Sequence, residues 1–320
     1  MKMEVGISGV GFAVPSKILT NQDLEKMVET NDEWIVTRTG IRERHLMQPG
    51  ETITKLVIDA AQTACKTANV DSRKLDFVIS STLTPDRISP AQSFEIAKAL
   101  GCEQTFCFDL NAACSGLMYG LATADSFLKT RSIKNGIVTA GEHISRLVDY
   151  TDRNSCILFG DAASAITVTN DHPEHLILAT ELGSDPTLAE EVTIGGVSDL
   201  LNDRKQDFYF NQNGKVVFRF VVNIIKHLFD SVPRQAGIKP EQIRYIIPHQ
   251  ANNRLIEAAA KEIKSDKIEF ISNIERYGNT SSASIGVALA ESWNRFQKGD
   301  YILMMGFGGG LSWGATLLEW

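Results

Sequence analysis

The sequence offers little to a metal or a disulfide. Its five cysteines (Cys65, Cys102, Cys107, Cys114 and Cys156) are odd in number and include no C-x-x-C pair. That excludes a paired disulfide framework and a cysteine zinc site, and leaves reduced thiols as the expectation. The six histidines contain no H-E-x-x-H spacing, so no metal is expected. No apolar run is long enough for a transmembrane helix. The start Met1-Lys2-Met3-Glu4-Val5-Gly6 lacks the apolar core and small-residue cleavage site of a secretory signal. A cytoplasmic protein that does not enter a membrane is expected. Basic charge is in deficit, 32 residues against 39 acidic for a net −7. That disfavours general nucleic-acid binding and means that an acidic partner needs a local basic patch. The run Gly306-Phe307-Gly308-Gly309-Gly310 lacks both a G-x-G-x-x-G spacing opening a helix and a phosphate-loop lysine. Nucleotide hydrolysis is disfavoured accordingly.

What is present is a chain of 320 residues, 43% apolar, enough for one large domain or two intimate ones. It reads as two copies of one plan. Short apolar runs at 75–80, 106–111 and 136–141 enclose a helical run from Cys114 to Leu128. Runs at 243–248, 268–272 and 301–306 enclose another from Ser281 to Phe296. The short runs show little alternation, so both faces should be covered, as in a parallel sheet between helix layers. Leu117, Met118, Leu121, Ala122, Ala124 and Phe127 surround the first matched helix. Ile285, Val287, Ala288, Leu289, Ala290 and Trp293 surround the second. A helix that is apolar all round is buried. Two of them in matched positions predict a central helical layer between two sheets, a five-layered α/β architecture. The expected halves are 1–170 and 171–320. Residues 171–205, polar with scattered Gly and Pro, read as the connection between halves plus surface strands.

Three residues stand at the matched corners. Cys114, in Asn111-Ala112-Ala113-Cys114-Ser115-Gly116, sits where a strand hands over to a buried helix. A helix N-terminus favours the thiolate and prepares a nucleophile. His249, in Pro248-His249-Gln250-Ala251-Asn252, ends the first strand of the second half, where open α/β sheets place ligands. Asn279, in Tyr277-Gly278-Asn279-Thr280-Ser281-Ser282, precedes the second buried helix. Taken singly these are a buried thiol, a packed imidazole and a helix cap. A pseudo-two-fold axis relating the halves would bring all three together. The terminal glycine run lets backbone N–H groups approach a ligand, and one of them with the Cys114 N–H would form an oxyanion hole.

These segments resemble β-ketoacyl-acyl-carrier-protein synthase III of the thiolase superfamily. The likeness is carried by 31–42, Ala112-Ala113-Cys114, Thr151-Asp152-Arg153, Phe159-Gly160-Asp161, 248–252, 276–281 and 306–313. It implies a duplicated five-layered αβαβα sandwich, a homodimer, and a ping-pong reaction with no metal or redox cofactor. Cys114 would take an acyl group from acyl-CoA. His249 and Asn279 would then stabilise the enolate formed when malonyl-acyl carrier protein loses carbon dioxide. Cys114 and Gly309 would supply the oxyanion hole. The resemblance also implies that Trp34 and Arg153 stack on the CoA adenine, while Arg38 and Asn252 hold the pantetheine and phosphate end. Arg219, Arg254 and Lys261 would dock the carrier protein, the last two being seven apart on one helix face.

Two features depart from the family pattern. An aromatic residue that reaches the partner subunit's acyl pocket is replaced by Ser89, before Pro90 and near Arg87. The usual G-D-G-A-G-A reads Gly160-Asp161-Ala162-Ala163-Ser164-Ala165. The leading expectation is initiation of fatty-acid synthesis. The alternative is a specialised paralogue using a longer, polar or dicarboxylic primer in secondary metabolism or biotin-precursor synthesis. A degradative thiolase is disfavoured because no cysteine follows Cys156. A non-catalytic acyl-binding scaffold is disfavoured by retention of all three corner residues.

Overall fold

The structure, a computed structural model, describes residues 3–202 and 208–320. Ten strands carry the fold: β1 (Gly6–Ala13), β2 (Phe77–Ser81), β3 (Phe106–Leu110), β4 (Asn135–Glu142), β5 (Ala162–Thr169), β6 (His175–Ser184), β7 (Ile243–Pro248), β8 (Glu269–Phe270), β9 (Tyr301–Gly308) and β10 (Ser312–Glu319). The first five lie in the order β3-β2-β4-β5-β1, and the second five repeat it as β8-β7-β9-β10-β6. The two sets join only where Gly6 and Ile7 of β1 meet Leu176 and His175 of β6.

Six longer helices complete the layers. These are α1 (Ile53–Thr67), α2 (Gln92–Leu100), α3 (Gly116–Thr130), α4 (Gly214–Gln235), α5 (Asn253–Ile263) and α6 (Ser284–Ser292). Residues of α1 and α2 pack with Val78 and Ile137 on one outer face. Those of α4 and α5 pack with Ile246 and Met305 on the other. Between the sheets, Leu117 and Leu121 of α3 meet Ile285 and Leu289 of α6, together with Ile79, Ile247 and Met304. Neighbouring strand residues such as Val78 and Ile79, or Ile246 and Ile247, thus enter different cores. That is why these runs carry no apolar/polar alternation. Five layers result, as the sequence predicts.

Each half-sheet is mixed rather than parallel. β2 runs parallel to β3 and β4, but β4 pairs antiparallel with β5 and β5 with β1. In the second half, β9 and β10 pair antiparallel, as do β10 and β6. β1 is rich in glycine for a steric reason. A Cβ on Gly9 would lie 2.5 Å from the Ala64 carbonyl oxygen, and one on Gly11 2.2 Å from that of Ala60. Their absence lets α1 lie directly on the strand. The reading of 171–205 as a connection plus surface strands holds only in part. Residues 175–184 form β6, which pairs along its length with β10, while Val192–Thr193 forms a small surface pair with Asn211–Gln212. Positions 203–205 of that stretch lie outside the described residues. No helix among the described residues is long and apolar enough to cross a membrane.

Candidate active site

The duplicated fold contains a duplicated turn. After β3, the Asn111 side-chain oxygen accepts from the Ala113 N–H at 3.1 Å. Ala113 then takes φ +47°, and a short 3-10 turn leads into α3. In the second half, Asn279 Oδ1 accepts from the Ser281 N–H at 2.9 Å, Ser281 takes φ +50°, and a 3-10 turn leads into α6. A left-handed conformation in a non-glycine residue is strained, and strain of this kind gathers at functional sites. The matched partner of Asn279 is therefore Asn111. That of Cys114 is Ser282, whose hydroxyl donates to Glu142 at 2.8 Å.

The segment Asn279–Ser284 gathers the three predicted residues. Asn279 is its first member. Ser281 Oγ lies 3.2 Å from Cys114 Sγ, and Ser284 Oγ lies 2.7 Å from His249 Nδ1. Because the Asn279 oxygen is held by the Ser281 N–H, its amide NH₂ is left to donate elsewhere. The backbone of Asn279 is fixed too: its N–H donates to the Leu158 carbonyl at 2.8 Å, and its carbonyl accepts from the Gly160 N–H at 3.1 Å. Neither Ser281 nor Ser284 is among the sequence candidates. Ser281 was legible only as a member of the motif, and a serine inside a helix start such as Ser284 carries no distinguishing signal.

Burial pushes the Cys114 thiol up to about 12, with the Ser281 hydrogen bond opposing and the Glu142 charge adding to the rise. This runs against the thiolate expected from the helix N-terminus, with desolvation the largest cause of the rise. Glu142 is itself wholly buried, and burial raises its carboxyl to about 7 against hydrogen bonds from Thr84, Ser282, Leu83 and Thr82. His249 is 2% exposed, and burial lowers its imidazole to about 3. It is therefore neutral at physiological pH. His249 itself is therefore expected to add no ordinary histidine inflection to the rate between about pH 5 and 8. Stability should behave differently. The unfolded imidazole protonates near 6.5 and the folded one only near 3, so His249 removes stability as pH falls between those values. Glu142 contributes with the opposite sign between about 7 and its ordinary 4.5. Rate profiles and thermal midpoints across that range check both signs.

Gly308 and Gly309 close the corner. A Cβ on Gly308 would sit 2.6 Å from the Cys114 nitrogen and 3.0 Å from that of Ser115. Gly308→Ala is therefore expected to displace the Cys114 turn. Acyl loading should fall by about 100-fold, the effect of a misplacement near 1 Å, as read by intact-mass loading rates. Gly309 lines the same cavity as Cys114.

Two cavities of about 900 Å³ each meet at this point. One is lined by Trp34, Arg38, Arg219, Asn252, Arg254 and Asn279. The other is lined by Cys114, Ser281 and Gly309, with Leu83, Ile88, Phe208 and Phe210 among its apolar walls. Among the described residues Phe159 alone lines both, packed edge-on against Phe210 with ring centres 4.6 Å apart. Phe159 thus borders the cavity on the Trp34 side and the cavity on the Cys114 side alike. His249 lines neither and joins the group through Ser284.

The guanidinium of Arg153 lies 5.0 Å from the Trp34 ring centre and that of Arg38 5.7 Å. Asn252 caps α5 by accepting from the Arg254 N–H. Lys261 is exposed on the same helix and lies outside the cavity lining. Ser89 is exposed and does not line the chain's own acyl-side cavity; its neighbour Ile88, 86% exposed, does. No group of three or more metal-ligating side chains occurs among the described residues.

The architecture defines the class: a duplicated, thiolase-like α/β sandwich with a cysteine at the head of an inner helix. Comparison with known proteins narrows it. The model of the 3-oxoacyl-[acyl-carrier-protein] synthase III family matches residues 108–186, and that of its C-terminal part matches 234–320. The chain is 40% identical to a beta-ketoacyl-[acyl-carrier-protein] synthase III of Desulfitobacterium hafniense, over 99% of this chain and 98% of that one. The crystal structure of the Aquifex aeolicus synthase III superposes with a TM-score of 0.91 at 40% identity, covering 99% and 100% of the two chains. The priming β-ketosynthase of the R1128 polyketide pathway gives a TM-score of 0.93 at 30% identity, covering 99% and 96%. The chain belongs to the 3-oxoacyl-[acyl-carrier-protein] synthase III family.

Proposed function

We propose that this chain, an acyltransferase of the 3-oxoacyl-acyl-carrier-protein synthase III type, condenses an acyl-CoA primer with malonyl-acyl carrier protein. The product is a 3-oxoacyl carrier protein that starts a fatty acid. The carrying observation is that one six-residue segment, Asn279–Ser284, touches or contains all three reacting groups. In this reading the primer enters by the Trp34 chamber. Cys114 Sγ attacks the thioester carbonyl and the CoA thiolate leaves, taking up the thiol proton. Burial keeps the thiol protonated at rest, and Ser281 Oγ is the hydroxyl beside the sulfur, 3.2 Å away.

Malonyl carrier protein then enters. The Asn279 NH₂ and neutral His249 Nε2–H donate to its thioester oxygen. Loss of carbon dioxide leaves the electron pair as an enolate held there. The enolate carbon attacks the acyl-Cys114 carbonyl, whose oxyanion rests on the N–H groups of Cys114 and Gly309. Collapse frees the Cys114 sulfur, which regains a proton. No metal or redox cofactor takes part in this sequence. An adenine between Trp34 and Arg153 requires their separation to open to about 7 Å, two van der Waals stacking distances.

Arg219 and Arg254, at the chamber rim, with Lys261 beyond them, suit an acidic carrier protein. A homodimer in the cytoplasm, each chain built of the halves 1–170 and 171–320, completes the reading. The test is release of labelled carbon dioxide from malonyl-acyl carrier protein in the presence of acyl-CoA; no release would remove the proposal. A second reading concerns the primer. The Cys114 chamber is lined in part by Ile88, next to Ser89, and Ser89 replaces the family's aromatic residue. Longer or polar primers are therefore expected to load. Intact-mass measurement of Cys114 across an acyl-CoA panel tests this, and strict preference for acetyl-CoA would contradict it.

A further inference from the structure

We infer that Ser284 sets the tautomer of His249, with Gln250 as the anchor that makes it do so. The inference rests on the reading of His249 as a donor through Nε2. A neutral imidazole carries one N–H, and the partner of the other nitrogen decides where that proton sits.

Gln250 is immobilised by its own side chain. Its NH₂ donates to the Pro248 carbonyl at 2.7 Å and the Ile271 carbonyl at 3.2 Å. Its side-chain oxygen accepts from the Ser272 hydroxyl at 2.9 Å and the Asn273 N–H at 3.1 Å. Every one of these four capacities is used, so the Gln250 backbone is held in place. Its N–H donates to Ser284 Oγ at 3.3 Å. Ser284 is 1% exposed, and among the described residues its hydroxyl has one other partner, His249 Nδ1 at 2.7 Å.

Two arrangements are conceivable. If Nδ1 carried the proton, Ser284 Oγ would accept from both His249 and Gln250. Its own O–H would then be buried without an acceptor, a costly omission. If the Ser284 O–H donates to Nδ1, every group in the chain is matched and the proton resides on Nε2. The second arrangement is the one that aims an N–H at the substrate oxygen. Ser284 is in this sense a positioning residue: it acts through His249. The edge of Phe307, with ring centres 5.7 Å apart, packs against the imidazole.

Nitrogen-15 NMR of histidine-labelled protein tests this, with the His249 signal assigned by its loss in His249→Gln. Wild type is expected to show the Nε2–H form alone. Ser284→Ala is expected to show a mixture or the Nδ1–H form. Its kcat for carbon dioxide release from malonyl-acyl carrier protein should fall about 10-fold or more, as for loss of other ligand-orienting hydrogen bonds, with KM little changed. Loading of Cys114 by acyl-CoA in the same sample should stay at the wild-type rate, which also reports a folded site. A pure Nε2–H signal and wild-type kcat in Ser284→Ala would overturn the inference, as would an Nδ1–H signal in wild type. His249→Ala separates the underlying reading. Wild-type carbon dioxide release there removes His249's role, and the Ser284 inference with it. Loss of release there alongside an unaffected Ser284→Ala overturns the Ser284 inference alone.

Discussion

Cys114→Ala is expected to abolish the acyl-enzyme and to lower condensation by about 10⁴-fold or more, the scale seen when a covalent nucleophile is removed. The loss should be chemical rather than structural. Among the described residues the thiol makes one side-chain hydrogen bond, to Ser281, and alanine keeps the backbone N–H assigned to the oxyanion hole. Asn279, Ser284 and His249 are held by contacts that do not involve the sulfur. The variant should therefore still release carbon dioxide from malonyl-acyl carrier protein while forming no new carbon–carbon bond. Intact mass spectrometry after incubation with acyl-CoA, run beside a carbon dioxide assay, checks both halves. An acyl adduct persisting in Cys114→Ala would place the nucleophile elsewhere.

Asn279→Ala is expected to show the converse. Removing the amide donor should slow decarboxylation by about 10²- to 10³-fold, the cost of one oxyanion donor, while Cys114 still loads. Asn279→Asp should be worse. A carboxylate still accepts from the Ser281 N–H, preserving the turn. It offers no donor to the enolate, however, and sets a negative charge beside a developing one. An Asp variant that keeps the wild-type rate while the Ala variant is slowed would mean that the residue acts through the turn alone. Stopped-time loading and carbon dioxide release on the same preparations distinguish these cases.

Much of this was legible in the sequence because the physical signal was redundant. The all-round apolar character of α3 and α6 announced a central layer, and both helices are buried between the sheets. The strands that sequence reading missed, β1, β5, β6 and β10, lack that signal. β1 and β5 are written in Gly, Ala, Ser and Thr because helices press close upon them, as Gly9 and Gly11 record. β6 is only partly buried and looked like a polar connection. Their antiparallel pairing could not be read from composition.

At the site, Cys114, His249 and Asn279 were visible as corner residues, but the pairing within the duplication was not. Only the shared side-chain bond and positive φ identify Asn111 as the counterpart of Asn279. The thiol's elevated protonation was hidden for a different reason. Helix position is readable from sequence, whereas desolvation by the second half of the chain depends on tertiary packing. Glu142 and Ser284 stayed silent for the same reason, since each gains its meaning from a partner far away in the chain, Ser282 for the first and His249 for the second.

The central claim is that sulfur from the first half and the donor pair from the second work on one acyl group. A chase experiment tests it most directly. Protein loaded at Cys114 with a labelled acyl group is freed of acyl-CoA and mixed with malonyl-acyl carrier protein. The account expects the Cys114 adduct to vanish, its label to appear as 3-oxoacyl carrier protein, and one carbon dioxide to leave per group transferred. An adduct that stays on Cys114 while carbon dioxide is released would contradict it.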